Sequence, residues 1–600
     1  MNPAGSSRRN HPSPADLWNE LYFGIATCNL LLQKAPLIAS EQDRNSALGE
    51  AYFLRGYNYY RLFCQYERCP LQLEPIDVSA GVPRNFKLSS GEDVLNQVID
   101  DLQKAYDLLR TDDWRGAGTW TKYTAAHFLA KALLYRQSER CTWKSNYPAK
   151  TDLDRAIRLC DEVIDARGLE KDYNNLYSNW TGVDCNIEKS KEILMSALHN
   201  DASTTVGRYG NRTYNYFSSQ YNTYSGGYVP RGQYIGDMEF QRCRPTEYTY
   251  AVFDNVNDSR MWKTFKTVYG ICNNVATPDY VKAENAPTFG DQGVLFLLNK
   301  KDDTRFRKDE FGRAAIKHTF VNPETGKWVP NVAPVYAEGQ YVMNTYGTSA
   351  ANRSNMFCGI NKTADGSRTG EKGDAHRDVT MARVGETYLV KAECQVRNGD
   401  DAGALATINL LRKRAEWKAG EDREYYVDGT IAFKSNSTAS GNCAKGNKDA
   451  NGAKLTNQQA FEYSFIQKNS YVLSTGVERP VESESWNASS LQISSWNNLP
   501  AEDQAVLNGM GLSVNTLEGK VNFILNERTR ELLGEWNRWD ELSRTKTLYK
   551  RAKLFNPETL YIQEHHNLRP IPQSFLDGLT NDNGEPLTDQ EKKDMQNPGY

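Results

Sequence analysis

The chain has 600 residues, and its 39% hydrophobic and 24% charged content belongs to a folded chain rather than a disordered one. With 72 basic against 75 acidic residues the net charge is −3, so no basic excess points to nucleic acid or to an anionic membrane surface. The 34 Tyr and 12 Trp, against 7 His and 9 Met, mark a chain that spends many positions on amphipathic contact surface.

Helical periodicity opens the chain. Leu17, Leu21, Ile25, Cys28 and Leu32 form one apolar stripe that Pro36 stops. A second helix is predicted from Arg44 to Cys64, closed by Pro70. Leu95, Val98, Leu102, Ala105 and Leu109 form a third, and Ala126, Leu129 and Leu133 its partner after the turn Arg115-Gly-Ala-Gly118. Ala156, Cys160 and Val163 begin a fifth. Helix pairs of about 30 to 45 residues joined by short turns read as a degenerate tetratricopeptide-type array. Ala51, Ala126, Ala130 and Ala156 allow close crossings.

From 201 to 377 Gly, Asn, Ser, Thr and Tyr dominate and the period fades, which predicts a loop-rich, aromatic-rich insertion. Helix is predicted again over 378–420, then a second polar insertion over 421–517, and a long final helix over 518–544 within the segment 518–600. The expected fold class is mostly α, a helical scaffold over 1–200 with two insertions, packed as one compact unit. The site is expected on the insertions.

Catalytic signatures are absent. There is no phosphate loop, no Rossmann glycine fingerprint, no HExxH and no GxSxG. The adjacent His565 and His566 point about 100° apart on a helix and do not share a metal there. Asp254-Asn-Val-Asn-Asp258 starts like a calcium loop, but Val256, Ser259 and Phe265 occupy the places that need Asp or Asn, Gly and Glu. Glu527, Glu531, Glu535, Asp540 and Glu541 are interleaved with Arg528, Arg530, Arg538 and Arg544, a pattern of ion pairs rather than of a carboxyl poised as an acid. The 11 Cys are spread without a CxxC, which predicts free thiols. No apolar run of 18 residues spans a membrane, and the first ten residues lack a signal core.

Six segments, in order, resemble the SusD-like (RagB/SusD) nutrient-binding proteins of Bacteroidetes. They are Ala51-Tyr-Phe-Leu-Arg-Gly-Tyr-Asn-Tyr-Tyr-Arg-Leu62 with Cys69-Pro-Leu71, and Trp120-Thr-Lys-Tyr-Thr-Ala-Ala126. Next come Pro245-Thr-Glu-Tyr248 through Asn257-Asp-Ser-Arg-Met-Trp-Lys-Thr-Phe265, and Arg383-Val-Gly-Glu-Thr-Tyr-Leu-Val-Lys-Ala-Glu393 with Ile408-Asn-Leu-Leu-Arg412. Last are Asn526-Glu-Arg-Thr-Arg-Glu-Leu532 with Arg538-Trp-Asp540, and the terminal Gln596-Asn-Pro-Gly-Tyr600. The resemblance implies a tetratricopeptide-based scaffold and an outward-facing outer-membrane lipoprotein. It implies a SusC-like TonB-dependent β-barrel partner and an oligosaccharide or polysaccharide cargo; the alternative is a subunit that binds peptide or another nutrient or is a structural lid only, and the distant alternative is a glycoside hydrolase on a helical scaffold. It carries no cofactor and no catalytic or metal motif. Family precursors begin with a lipoprotein signal and a lipidated Cys; neither is in this chain, so a truncated start is expected.

Sugars present C–H faces and hydroxyl edges, so their sites need aromatic planes with amide and guanidinium partners. The segment Tyr209–Tyr234 fits best. Tyr216, Tyr221, Tyr224 and Tyr234 are the expected platforms, with Asn222 and Arg231 as hydroxyl partners. Tyr346, in Gln340-Tyr-Val-Met-Asn-Thr-Tyr346, is a further candidate, and Trp486 and Trp496 stand in the second insertion. Trp262 and Tyr269 follow the Asp-Ser-Arg match, and core packing is expected for Trp262.

Overall fold

In this computed structural model, residues 14–600 are described except 80, 178–187, 201, 203, 205–209, 220, 222–226, 229–241, 255–256, 272–275, 289–290, 305, 309–320, 322–325, 344–356, 361, 364–374, 417–423, 427–465 and 469–490. The chain divides into two compact units interleaved in sequence. One holds 1–168, 386–404 and 536–600; the other holds 169–385 and 405–535.

The first unit is helical. It begins with α1 (Pro14–Lys34), α2 (Glu41–Tyr66), α3 (Gly91–Leu108), α4 (Lys122–Arg136) and α5 (Ala149–Arg167). Side-chain caps start α2, α3 and α4: Ser40 and Ser90 accept from the Asp43 and Asp93 amides, and Thr121 and Thr124 form a capping box. The apolar stripes meet as expected, with Phe53, Leu62, Leu95, Leu102, Leu129 and Leu133 at zero exposure.

Its recurring motif residues are buried ion pairs. Arg55 holds Asp101 through two hydrogen bonds of 2.8 Å. Glu386 receives Lys131 at 2.7 Å and His127 at 3.2 Å. Glu393 receives Arg544 at 2.6 Å. The terminal segment is docked, since the Asn597 side chain donates to the Tyr66 and Arg569 carbonyls.

The second unit mixes short strands and helices. Here β1 is Ile193–Ala197, β2 Val268–Gly270, β3 Gln292–Leu297, β4 Asn331–Pro334 and β5 Val379–Arg383. Strand β3 is central, antiparallel to β2 and parallel to β4, and Val268, Leu295, Leu297, Phe306 and Val332 fill the core against it. Strands β1 and β5 pair antiparallel.

Two helix expectations are corrected. The stretch 378–420 opens as strand β5, and helix follows in α6 (Val384–Arg397) and α7 (Asp401–Ala415). The final helix is also not continuous. After α8 (Ala501–Gly509), α9 covers Leu517–Leu532, the backbone turns, and α10 starts at Arg538. Gly534 takes φ +82° and Trp536 φ +63° in that turn, outside the helical basin.

Candidate functional site

The carboxylate cluster of the second unit lies on α9 and just beyond it. Six carboxylates (Glu192, Asp258, Asp503, Glu527, Glu531 and Glu535) join six cations (Arg260, Lys362, Arg383, Arg412, Arg414 and Arg530) in one network. No side chain in it is more than 9% exposed. Arg260 bridges Glu527 at 2.9 Å and Glu531 at 3.0 Å, and Arg383 bridges Glu192 at 2.7 Å and Glu531 at 2.6 Å. Arg414 reaches both Glu192 and Glu531.

Burial alone would raise the Glu527 and Glu531 carboxyls. Arg412, Arg530 and Arg260 around the first, and Arg414, Arg383 and Arg260 around the second, overcome it and hold both far below the usual carboxylate range. Glu535 is likewise held low by Arg383 and Lys362 against its burial. These groups are fixed anions and not proton donors. The Asp258 carboxylate is taken by Arg260, and Asp254 accepts from the Asn257 amide and side chain. Among the described residues no three His, Cys, Asp or Glu are placed to share a metal ion.

The aromatic insertion divides into buried and exposed tyrosines. Asn211 bridges to Ala375 and its side chain donates to the Ala375 and Arg377 carbonyls, which fixes the start of the helical turn Thr213–Tyr216. Tyr214 and Phe217 pack inward, while Tyr216 is 37% exposed. The Tyr216 carbonyl accepts from the Arg242 and Cys243 amides at 2.9 and 2.8 Å, so its backbone is tied down.

Tyr221 is a correction to the sequence expectation. It is fully buried and stacks on Tyr269, with ring centroids 4.4 Å apart and planes 12° apart. Tyr269 meets Phe296 of β3 edge-on, so the Tyr221 ring is spent on the core and offers no platform. Asn222, Tyr224, Arg231, Tyr234, Tyr346 and Trp486, and the side chain of Trp262, lie outside the described residues. Trp496 packs edge-on against Phe523 of α9.

Among the described residues of the second unit, one exposed aromatic was not singled out from sequence. Tyr280 is 55% exposed and meets the buried Trp328 edge-on at 6.1 Å, and Tyr228 meets the same indole from another side at 6.1 Å. A local signal was present, because Thr277-Pro278-Asp279 is turn chemistry and the Val281 amide closes the turn on the Pro278 carbonyl.

A family model described as starch-binding and associating with the outer membrane matches residues 7–134. A second, described as the SusD family, matches residues 161–449. SusD-like protein P2 of Formosa agariphila is 25% identical over 171 residues, a stretch that spans 27% of this chain and 30% of that protein. A SusD homolog from Bacteroides thetaiotaomicron VPI-5482 superposes with a TM-score of 0.52 at 16% identity, over 98% of this chain and 87% of that one. A SusD superfamily protein from Bacteroides vulgatus ATCC 8482 gives 0.51 at 14% identity, over 94% and 85%. At such identities the two structures speak to the fold. No helix among the described residues is long and apolar enough to cross a membrane.

Proposed function

Because the chain belongs to the SusD-like family, we propose that it captures an oligosaccharide or polysaccharide at the cell surface and delivers it to a SusC-like TonB-dependent outer-membrane transporter. Binding is non-covalent throughout. The observation that carries this reading is the match to a family described as starch-binding and outer-membrane-associated. Two features of the second unit support it. Exposed tyrosines stand on backbone that is held by its own hydrogen bonds, and the densest carboxylate cluster is locked in ion pairs instead of poised for hydrolysis.

In this reading Tyr216 and Tyr280 stack on sugar faces. Tyr224, Tyr234 and Tyr346 add further platforms, with Asn222 and Arg231 on the hydroxyls. Attachment to the outer membrane, facing outward, is through a lipid anchor. Calorimetric titration against a polysaccharide panel tests the cargo, with product analysis of the same mixtures for released reducing ends. Saccharide binding without product is expected. Binding of peptides alone, or release of reducing ends, would overturn the proposal.

A further inference from the structure

A cavity of about 280 Å³ lies within the second unit, walled by the start of α8, the segment 491–493, the turn before Asp258, and α7. Its floor is the end of the buried charge network: Asp258, Arg412, Asp503 and Arg530 line it, each at most 2% exposed. Its rim carries exposed Gln492 and Asn498.

The walls are preorganised. The Ile493 amide donates to the Asn409 side chain at 2.9 Å and the Ile493 carbonyl accepts from it at 2.9 Å, which pins that segment to α7. Arg412 spends its terminal nitrogens on Leu491 O and on Glu527 and Asp503, while its buried Nε donates to no acceptor among the described residues.

The lining therefore offers donors (Arg412, Asn498) and acceptors (Asp254, Asp258, Glu502) side by side. Most of its charge is already balanced. Asp258 is paired with Arg260, Glu502 with Lys300, and Asp503 with Arg530 and Arg412. A wall of mixed donors and acceptors with little net charge selects a neutral, hydroxyl-rich molecule over an ion. Among the described residues no aromatic ring lines it, so the ligand is held by its edge and not by stacking. The volume sits at the lower limit of small-molecule pockets, roughly 300 Å³, which suits about one sugar ring and not a chain.

We propose that this cavity is a second saccharide subsite, which takes a single neutral sugar ring, a chain end or a branch, by its hydroxyl edge. The inference rests on the glycan-capture reading and assigns it a site separate from the tyrosine platforms.

The test is calorimetric titration of the full chain with neutral gluco-oligosaccharides of increasing length. Wild type is compared with Asn498→Trp, which blocks the cavity from an exposed position, with Asn498→Ala, and with Tyr216→Ala. Asn498→Trp is expected to weaken the longest chain about tenfold, to the level of a shorter one, at an unchanged melting temperature. Asn498→Ala should do so by a smaller factor, and Tyr216→Ala should weaken all lengths. Wild-type affinity in both Asn498 variants, with Tyr216→Ala weakened, overturns the cavity assignment and leaves glycan capture standing. If wild type binds no saccharide, both fall. A calcium-induced rise in melting temperature that Asn498→Trp abolishes would reassign the cavity to a cation and overturn the proposal.

Discussion

Glu531 is the junction of the buried network, and Glu531→Gln asks whether those charges hold the second unit together. Three guanidinium groups, from Arg260, Arg383 and Arg414, converge on its carboxylate. Gln keeps the shape, removes the charge and aims an N–H at cations. Each arginine retains another carboxylate: Asp258 and Glu527 for Arg260, Glu192 and Glu535 for Arg383, Glu192 for Arg414. The loss is therefore that of one broken buried pair, about 3–5 kcal/mol, and not three times that. With an unfolding entropy of roughly 2.1 cal/mol/K per residue, a unit of about 350 residues shifts by about 1.4 °C per kcal/mol, so calorimetry should show a fall of about 4–7 °C. The pH dependence follows from the sign of the shift. The folded carboxyl is depressed and the unfolded one titrates near 4.3, so the contribution is complete above about pH 5 and lost as pH falls towards the folded value. The gap between wild type and Glu531→Gln should narrow below about pH 4. A midpoint within about 2 °C of wild type at pH 7, or a gap that ignores pH, would refute the reasoning.

Lys362 tests the same network from the basic side. Burial, opposed by Glu535, brings its amine down to about 8, whereas an unfolded lysine titrates near 10.4. Between those values the unfolded chain binds more protons, so stability measured by urea unfolding should rise from about pH 8 to 9.5 relative to Lys362→Met; parallel curves would contradict this. Tyr216→Ala should weaken glycan binding by about 1–3 kcal/mol with little change in melting temperature, because the ring is partly exposed. Tyr221→Ala removes a buried, stacked ring and should cost about 3–5 kcal/mol of stability; an unchanged melting temperature would remove it from the core. Gly519, whose amide is capped by Thr516, has the Ser513 carbonyl where a Cβ would sit. Gly519→Ala should lower stability by about 1–3 kcal/mol in calorimetry, since the clash is with backbone that cannot swing away.

The first five helices were legible because side-chain period, Ser and Thr caps and prolines agree along one stretch of chain. The break after Leu532 was not, since Trp536 and Trp539 continue the apolar spacing while Gly534 turns the backbone, a choice the period does not report. The ion pairs were half legible. Glu527 with Arg530 and Glu541 with Arg544 are three residues apart on one helix. Arg260 and Arg412 reach Glu527, and Arg383 and Arg414 reach Glu531, from far along the chain, and no spacing rule encodes that. The tyrosines divide for a related reason. Tyr221 is claimed by Tyr269, whose strand is fixed by pairing with β3, so its burial is set by a partner remote in sequence. Tyr280 rides a turn that closes on its own hydrogen bond, from the Val281 amide to the Pro278 carbonyl. A turn that satisfies its own backbone needs no neighbour to hold it, so its ring stays half exposed over Trp328. In a chain this rich in tyrosine, exposure is therefore decided by local turn closure or by a partner remote in sequence, and not by how densely tyrosines occur.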